Sequence, residues 1–376
     1  MHRMNSPRGL TRRRMAMALP LLGSAAWIPS ALAAAPAVAE RSSRALMGTQ
    51  VDMVTHGPDA RALQAAMDQA WREMERLTAL MTRYSPDSTI SAINRAAGKH
   101  AVAVQPEVMA VLKAAQAIAA QTRGAFDTTV GALKVWRFGE GQNTLPAPQE
   151  IEAQRRLVGY RGLVLDERAG TAFLNQHGMA LDLGGIAKLP ILEAGMRTLR
   201  QHGVDNAMIN GGGDVLIAGQ LHGRAWRVGL RDPRAPERMI GVLALQGQAI
   251  VASSGDYERF FMAQGERQHH ILNPATGRPT QGPHGVSLLA KDAASVNGLG
   301  TAIMVLGSEG ARALLKDQPA DRLGAATGVE YAAQAMAVHG ALLAQSAAAP
   351  TQGYLTSVRG LSLYTDLFEE LSQPRW

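Results

Sequence analysis

The sequence predicts a mixed helix-and-strand protein in which two subdomains share one sheet. Its N-terminal half contains amphipathic segments with apolar residues at helical spacing. Residues 207–290 instead contain short apolar runs separated by turns, which is the pattern of successive β-strands. No internal repeat, coiled coil or long linker separates the two parts. We therefore expect intimately joined subdomains and not independent domains.

The N-terminal elements follow from spacing and from capping residues. Residues 49–55 alternate as a strand, and residues 57–59 (GPD) end that strand and cap a helix. A second helix begins at about Pro106, which suits a first turn, and ends before Gly124. A hairpin turn is predicted around residues 166–170. The first helix presents one apolar face, which we interpret as core: Leu63, Met67, Trp71, Met74, Leu77 and Met81.

The C-terminal half is predicted to be a series of strands followed by two helices. A helix ending near Gly203 precedes the strands, and helices over residues 294–306 and 309–316 follow them. Residues 317–376 contain no clear pattern. The predicted strands are residues 207–210, 215–218, 226–230, 240–245, 250–253 and 286–290.

The first 33 residues have the composition of an export signal. Five arginines and no acid precede a mildly apolar stretch, and residues 31–33 (ALA) match a small-x-small cleavage pattern. Residues 11–17 (TRRRMAM) resemble a twin-arginine signal; an ordinary secretory signal and a retained anchor are the alternatives. We expect a periplasmic protein that is not stably inserted in the membrane once the signal is removed. Its mature chain should begin with a disordered, Ala/Pro-rich segment at residues 34–44.

Charge and cysteine content exclude several functional classes. The 376-residue chain has 38 basic and 31 acidic residues, a formal net charge of +7. Five of the basic and none of the acidic residues precede residue 34, so the mature chain has 33 basic and 31 acidic residues, or +2. This balance argues against nucleic-acid binding. The absence of cysteine excludes thiolate catalysis, iron–sulfur clusters and cysteine-ligated zinc.

Three separated clusters between residues 182 and 301 could together build a metal-assisted phosphate site. They are residues 182–188 (DLGGIAK), 270–279 (HILNPATGRP) and 297–301 (NGLGT). Each alone is a weak signal, because glycine turns and polar pairs at helical spacing are usually structural. Their joint occurrence in one chain is what favours a metal-assisted phosphate site.

The third cluster has the donors of a hard-cation site. Asn297 and Thr301 are four residues apart on a predicted helix, so they share a face. Their amide and hydroxyl oxygens, with a backbone carbonyl from a facing glycine loop, would suit Mg²⁺, which takes few protein ligands and keeps several waters. The alternative is an ordinary helix cap or a hydrogen bond between helices.

The first cluster has the features of an anion site. Asp182 follows an apolar run and precedes Gly184 and Gly185, which allow backbone to approach a ligand closely. The next helix would present its N-terminal amides to an anion, and Lys188 in its first turn could meet a phosphate. The alternative is Asp182 as a helix cap with Lys188 solvated.

The second cluster supplies a candidate base. His270 precedes a turn at residues 273–277, and histidine titrates in the range needed to take a proton from a hydroxyl. A structural hydrogen-bond donor is the alternative role. A serine hydrolase built on Ser254, His270 and Asp182 is a poor candidate, because residues 253–256 (SSGD) lack the Gly-x-Ser-x-Gly elbow.

The glycines at residues 211–213 do not indicate a dinucleotide fold. They do not fit Gly-x-Gly-x-x-Gly, and the residues that follow, 215–219 (VLIAG), read as a strand and not as a helix. A tight hairpin is the better interpretation.

Taken in sequence order, eight motifs resemble those of the ApbE family, the FAD:protein FMN transferases. The resemblance covers nearly all of residues 45–307. It implies an α+β fold with a T-fold-like core, in which mixed or antiparallel sheets are flanked by helices. The motifs are MGT at 47–49, YSP at 84–86 with the serines that follow, GAFD at 124–127, DLGGIAK at 182–188, NGGGD at 210–214, SSGDYER at 253–259, HILNPATGRP at 270–279 and NGLGT at 297–301.

The resemblance also implies an activity, cofactors and roles for residues. Such an enzyme uses FAD as substrate and Mg²⁺ as cofactor, and attaches FMN to a threonine of an exported or membrane-bound redox protein, its partner. The catalytic residues would be His270, as base, and Asp182. The metal would be held near Gly185 with Asn297 and Thr301. Carried over by position, the residues that would hold FAD are Met47, Tyr84, Ala125, Phe126, Asp127, Asp182, Lys188 and Ile271.

The sequence departs from the family pattern at two asparagines, one of them in the predicted metal site. The family usually has aspartate where this chain has Asn297, and also where it has Asn273. Losing a carboxylate should weaken Mg²⁺ binding. Two alternatives therefore accompany the transferase: an FAD-binding flavin carrier or assembly factor, and an FAD pyrophosphatase. We expect a transferase domain over residues 45–340 and an extension of unclear role at 341–376.

Overall fold

The structure is a computed structural model that describes residues 37–139, 141, 144–235, 237–316, 341–344 and 353–356. The described residues belong to one compact unit, Pro36–Trp376. The predicted signal at residues 1–33 lies outside them. Within the described part of the chain, no helix is both long and apolar enough to span a membrane.

Fifteen strands and six α-helices can be assigned in the described residues. The strands are β1 Val38–Leu46, β2 Thr49–Gly57, β3 Val102–Ala103, β4 Leu163–Asp166, β5 Thr171–Leu174, β6 Asn206–Gly211, β7 Asp214–Ala218, β8 Trp226–Arg231, β9 Met239–Leu245, β10 Ala249–Gly255, β11 Phe260–Ala263, β12 Glu266–His269, β13 Gly285–Ala290, β14 Ala341–Ala344 and β15 Gly353–Thr356. The helices are α1 Ala60–Met81, α2 Thr89–Ala96, α3 Pro106–Gln121, α4 Pro148–Arg155, α5 Lys188–Gln201 and α6 Leu299–Lys316.

An eight-stranded sheet organises the fold, with all neighbouring strands antiparallel. Its order is β1-β2-β6-β7-β10-β13-β14-β15. Three smaller sheets accompany it: β3-β5-β4, β8-β9 and β11-β12. The sheets and flanking helices confirm the α+β prediction.

The central strands of the large sheet are buried on both faces. Alternate residues of a strand point to opposite sides, and here they pack into two different clusters. Leu216 and Ile250 belong to the main core cluster, whereas their neighbours Val215, Ile217 and Val251 belong to a second cluster. The main cluster contains the apolar faces of α1, α3 and α5; the second contains residues of β8 and β9. The large sheet thus separates two core clusters within one compact unit.

Helix α1 shows how local sequence determines an element. Asp59 caps it by accepting hydrogen bonds from the backbone amides of Arg61 and Ala62 at 2.9 and 3.2 Å. All six apolar residues predicted to face the core are buried, and α1 packs against α5, β1 and β2.

Three sequence-based predictions of structure need correction. Residues 34–44 are predicted to be disordered, but Val38–Leu46 forms β1, which pairs with β2 along its whole length. The helix predicted over 294–306 begins only at Leu299, after Gly298 with φ +78°, and a kink at Gly307 joins it to the second predicted helix. The segment predicted to extend the domain contributes β14 and β15 to the main sheet.

Candidate active site

The loop that leads into α5 is held in place before it reaches the site. The Asn94 side chain donates to the carbonyl of Leu181 (3.1 Å) and accepts from its amide (2.7 Å). The amide of Asp182 donates to the carbonyl of Thr128 at 2.7 Å. These bonds fix residues 180–182 beside residues 128–131, so Asp182 projects from a rigid base.

Asp182 shapes the glycine turn instead of capping the helix. Its Oδ1 accepts from the amide of Gly184 at 2.8 Å, and its Oδ2 lies 3.4 Å from Nε of Arg83. The N-cap position of α5 is occupied by Ala187. The helix-cap alternative for Asp182 is therefore wrong.

Lys188, the first residue of α5, is tied to the main sheet. Its Nζ lies 2.7 Å from Oδ2 of Asp214, and Oδ1 of Asp214 accepts from the amide of Ser253 at 2.9 Å. Asp214 is buried and Lys188 is about one-third exposed. Lys188 is thus held at the N-terminus of α5 and is not freely solvated.

The residues proposed for the cation come together at the start of α6. A Cβ on Gly185 would lie 3.0 Å from Oγ1 of Thr301 and 3.2 Å from Cε2 of Phe126, so a larger residue would push the Thr301 and Phe126 side chains away from this close contact. Nδ2 of Asn297 donates to the carbonyl of Ile186 at 2.9 Å. Asn297 itself lies in the turn before α6, so the prediction that it shares a helical face with Thr301 is wrong, although both reach the same loop.

This donor set fits a hard divalent cation in kind. Thr301 offers a hydroxyl, residues 185–186 offer backbone carbonyls, and Asn297 would offer Oδ1 if its amide turned over. The described residues hold no group of three or more His, Cys, Asp or Glu suited to a metal ion. Gly185, Ile186, Asn297 and Thr301 therefore offer neutral oxygen atoms of the kind that Mg²⁺ accepts, and none of the four is a carboxylate.

His270 follows β12 directly and is held by backbone hydrogen bonds. Its backbone amide donates to the carbonyl of Arg259 at 3.1 Å, and its Nδ1 lies 3.3 Å from the same oxygen. A carbonyl only accepts, so Nδ1 carries the proton and Nε2 is left as an acceptor. Burial, followed by the charge of Arg259, lowers the pKa of His270 to about 3, and Lys188 contributes in the same direction.

The adjacent His269 has a different role. It is buried, its Nε2 donates to the carbonyl of Thr280 at 2.8 Å, and its Nδ1 accepts from the amide of Ile271 at 3.3 Å. Burial lowers the pKa of His269. Both ring nitrogens are used, so His269 orders the turn after β12 and is not a second base.

The Asp127 carboxylate accepts hydrogen bonds from nearby protein groups. Its Oδ1 accepts from the amide and hydroxyl of Thr129 at 2.8 and 2.6 Å, and its Oδ2 accepts from the amide of Tyr160 at 2.7 Å. Burial raises the pKa of Asp127. The carboxylate thus shapes the loop that carries the predicted flavin residues Ala125 and Phe126.

The other predicted flavin residues occupy varied environments. Tyr84 is 72% exposed beside Arg83, the residue that pairs with Asp182. Ile271 is buried in the main core cluster. Met47, with φ 54°, lies in the turn between β1 and β2.

Sequence reasoning missed Arg83, Asn94 and the pairing role of Asp214. Asp214 ends a glycine run that we correctly interpret as a hairpin turn between β6 and β7. Nothing in the sequence connects it with Lys188, which lies 26 residues earlier and on another element.

The comparisons with known proteins decide the family. The model of the ApbE family matches residues 47–324. The chain belongs to the ApbE family. Its sequence is 36% identical over 239 residues to an FAD:protein FMN transferase of Klebsiella pneumoniae, covering 63% of this chain and 72% of that one. A relative with the same name from Treponema pallidum is 31% identical over 278 residues, covering 69% and 76%.

Solved structures of the family share the fold. The ApbE protein of Thermotoga maritima has a TM-score of 0.72 and 29% sequence identity, with 88% of this chain and 99% of that chain covered. The flavin transferase ApbE of Vibrio cholerae has a TM-score of 0.70 and 26% identity, covering 86% and 98%.

Proposed function

We propose that this chain is an FAD:protein FMN transferase that attaches FMN to a threonine of an acceptor protein with the help of a divalent cation such as Mg²⁺. The observation that carries the proposal is the convergence of an uncharged histidine, a lysine at a helix N-terminus and an oxygen-rich turn, in a member of the ApbE family. The relatives named above are transferases of this kind.

The geometry supports a phosphoryl-type transfer. Nε2 of His270 accepts the proton of the threonine hydroxyl, whose oxygen then bonds to the phosphorus of the FMN half of FAD. The bond from that phosphorus to the bridging oxygen breaks, and AMP leaves with that oxygen and the bonding electrons. Lys188 and the amides at the start of α5 stabilise the negative charge on the phosphate oxygens.

Asn297, Thr301 and the backbone at Gly185 would hold the cation. When bound, the cation supplies charge neutralisation at the diphosphate. Asp182 keeps the glycine turn open by accepting the amide of Gly184, so that backbone can reach the ligand.

Mass spectrometry of an acceptor tests the proposal. The mature protein is incubated with FAD, Mg²⁺ and the acceptor that the Vibrio cholerae transferase modifies, and that transferase serves as positive control. We expect the FMN mass increment on one threonine of the acceptor. No increment with Mg²⁺, Mn²⁺ or Ca²⁺, while the control enzyme reacts, would reject the function.

A flavin carrier or assembly factor is the second candidate, and the Asn297 hydrogen bond favours it. Because Nδ2 donates to the carbonyl of Ile186, a cation that uses this carbonyl as a ligand must displace the hydrogen bond. A carrier would bind FAD and transfer nothing until Asn297→Asp restores the carboxylate. If the wild type transfers FMN to the acceptor as fast as Asn297→Asp does, the carrier function is excluded. Release of free FMN and AMP without an acceptor would instead indicate an FAD pyrophosphatase.

We further propose that the protein acts in the periplasm on a membrane-bound or exported redox protein. The arginine-rich start of the sequence and its cleavage pattern support this proposal. Replacing Arg12 and Arg13 with lysine in the full chain should trap it in the cytoplasm, as measured by cell fractionation. Export that is unaffected by this change but blocked by inhibiting the general secretory route would favour an ordinary signal.

A further inference from the structure

The turn between β13 and α6, which carries Asn297, is tied to helix α5 by a long-range hydrogen bond. Ala293 is buried and lies beyond the end of β13, so its amide is outside the strand pairing of the sheet. A buried amide must find an acceptor, because leaving it unpaired is costly. Oε1 of Glu193 on α5 accepts this amide at 3.1 Å, across 100 residues of sequence.

The residue that Glu193 anchors also holds Asn297. The carbonyl of Ala293 accepts from the backbone amide of Asn297 at 2.8 Å and from that of Val296 at 3.1 Å. The side chain of Asn297 then donates to the carbonyl of Ile186 at 2.9 Å, in the loop just before α5. These contacts form a closed circuit that starts at Glu193 on α5 and returns to the loop before the same helix.

The surroundings of Glu193 favour its acceptor oxygen over its charge. The side chain is partly buried. Burial raises the pKa of its carboxyl, the hydrogen bond from Ala293 acts against this change, and the charge of Asp292 adds to it. An amide of the same length has one such oxygen and no charge to bury. We therefore expect glutamine to replace Glu193 in holding the turn.

We propose that Glu193 is a positioning residue for the candidate cation site, acting through Ala293 to hold Asn297 beside the carbonyl of Ile186. Groups that orient metal ligands without touching the metal commonly determine metal affinity. The proposal rests on the cation-dependent transferase function and adds a residue that lies outside the eight sequence motifs.

Calorimetric titration with Mg²⁺, in the presence of FAD, tests the proposal. Glu193→Ala and the bulkier Glu193→Leu remove the acceptor, whereas Glu193→Gln keeps it. Glu309→Ala is the matched control, because Glu309 is exposed on α6, the helix that carries Thr301. We expect the Kd for Mg²⁺ to rise about tenfold in the Ala and Leu variants. It should stay close to the wild-type value in Glu193→Gln and Glu309→Ala.

The same variants distinguish positioning from a merely structural role. If Glu193 only stabilises the fold, Glu193→Ala and Glu193→Leu will melt earlier and keep the wild-type Kd for Mg²⁺, which would overturn the proposal. An equal loss of affinity in Glu193→Gln would also overturn it, because the effect would then belong to the charge. The Kd for FAD, measured without Mg²⁺, should be unchanged in every variant.

A second measurement does not need the cation. Glu193→Leu, Asn297→Ala and the double variant are unfolded with urea in the absence of Mg²⁺. Because both residues hold one turn, the double variant should lose less unfolding free energy than the sum of the two single losses. Additive losses would show that the two contacts are independent and would contradict the circuit.

The outcomes separate this proposal from the transferase function. If the wild type places no FMN on the acceptor while the Vibrio cholerae enzyme does, the transferase function fails, and the titrations and urea unfolding still test Glu193. If the wild type is active and Glu193→Leu keeps the wild-type Kd for Mg²⁺, only the positioning proposal fails. A wild type that binds no Mg²⁺ in the presence of FAD would overturn the positioning proposal as well.

Discussion

The two sides of the candidate site differ in how their charges are balanced. On the side we call the paired side, Arg83 contacts Asp182 and Lys188 contacts Asp214, so each charge has a partner within 3.4 Å. The neutral side, made of Gly185, Asn297 and Thr301, has only amide, hydroxyl and backbone groups. The paired side has its charges matched without a ligand, whereas on the neutral side the Asn297 side chain makes one neutral hydrogen bond, to the carbonyl of Ile186.

This difference indicates which part of the proposed reaction depends on groups already in the protein and which part depends on a bound cation. The ion pair with Asp214 holds Lys188 at the start of α5 before any ligand binds. On the neutral side, positive charge beside a bound phosphate would have to come from a cation, and Asn297 provides no carboxylate to bind that cation. Variants on the paired side should thus affect structure and chemistry, and variants on the neutral side should affect metal dependence.

Replacing His270, the proposed base, should give the largest effect. His270→Ala removes the acceptor of the threonine proton, and we expect kcat to fall about 10²–10⁴-fold. The Kd for FAD, measured by flavin fluorescence, should change little. His177→Ala, at an exposed loop histidine, is the control. Wild-type kcat in His270→Ala would assign the base elsewhere.

Breaking the paired side at Asp214 should cost stability. Asp214→Ala leaves Lys188 without its partner and the amide of Ser253 without its acceptor. We expect the free energy of unfolding in urea to fall by about 2–3 kcal/mol. Asn297→Ala, on the neutral side, should cost about 1 kcal/mol, because it removes one neutral hydrogen bond. Equal losses would contradict the contrast between the two sides.

Adding a carboxylate should make the neutral side resemble the paired one. Asn297→Asp should raise the affinity for Mg²⁺ about tenfold or more, measured by calorimetry with FAD present. Without the cation the variant should melt earlier than the wild type, because a carboxylate replaces the donor to the carbonyl of Ile186. Asn273→Asp makes the same change in the turn after His270, where Oδ1 accepts from the amide of Ala275, and it should leave Mg²⁺ affinity unchanged.

The smallest effect concerns pH. The base works when neutral, and burial with the charge of Arg259 lowers the pKa of His270 to about 3. The neutral form is therefore retained as pH falls through 6.5, where an ordinary histidine becomes protonated. The acid limb of kcat/KM should lie below about pH 5, and Arg259→Gln should move it upward. An acid limb near 6.5 in the wild type would show that the histidine is not desolvated in the free enzyme.

Much of the fold could be predicted because the local sequence patterns agree with the packing of the elements in the folded protein. The apolar spacing of α1 and the cap at Asp59 define that helix, and the glycines at 211–213 define the β6–β7 turn. Strand β1 was not predictable in this way. Its residues alternate between partly buried and exposed, and its position at the edge of the sheet depends on pairing with β2.

The candidate site could be predicted only as a set of residue types. The spacing of Asn297 and Thr301 predicts that they lie close together on one helix. They do reach the same loop, but Gly298 at φ +78° lies between Asn297 and the start of the helix, so Asn297 reaches that loop from a turn. The partners of Asp182 and Lys188 come from α1's C-terminal loop and from β7, and only the folded sheet places them. Long-range ion pairs leave no local pattern in a sequence.

The buried indole of Trp136 gives this protein a built-in optical probe. Its Nε1 donates to the carbonyl of Gly277 at 2.7 Å in the turn after His270, and its ring shares a hydrophobic cluster with Phe261 on the inner face of the β11–β12 hairpin. Movement of either segment alters the surroundings of the chromophore, and a nearby isoalloxazine ring would quench its emission by energy transfer. The difference in tryptophan emission between the wild type and Trp136→Phe would thus report on occupancy of the site without attaching any label.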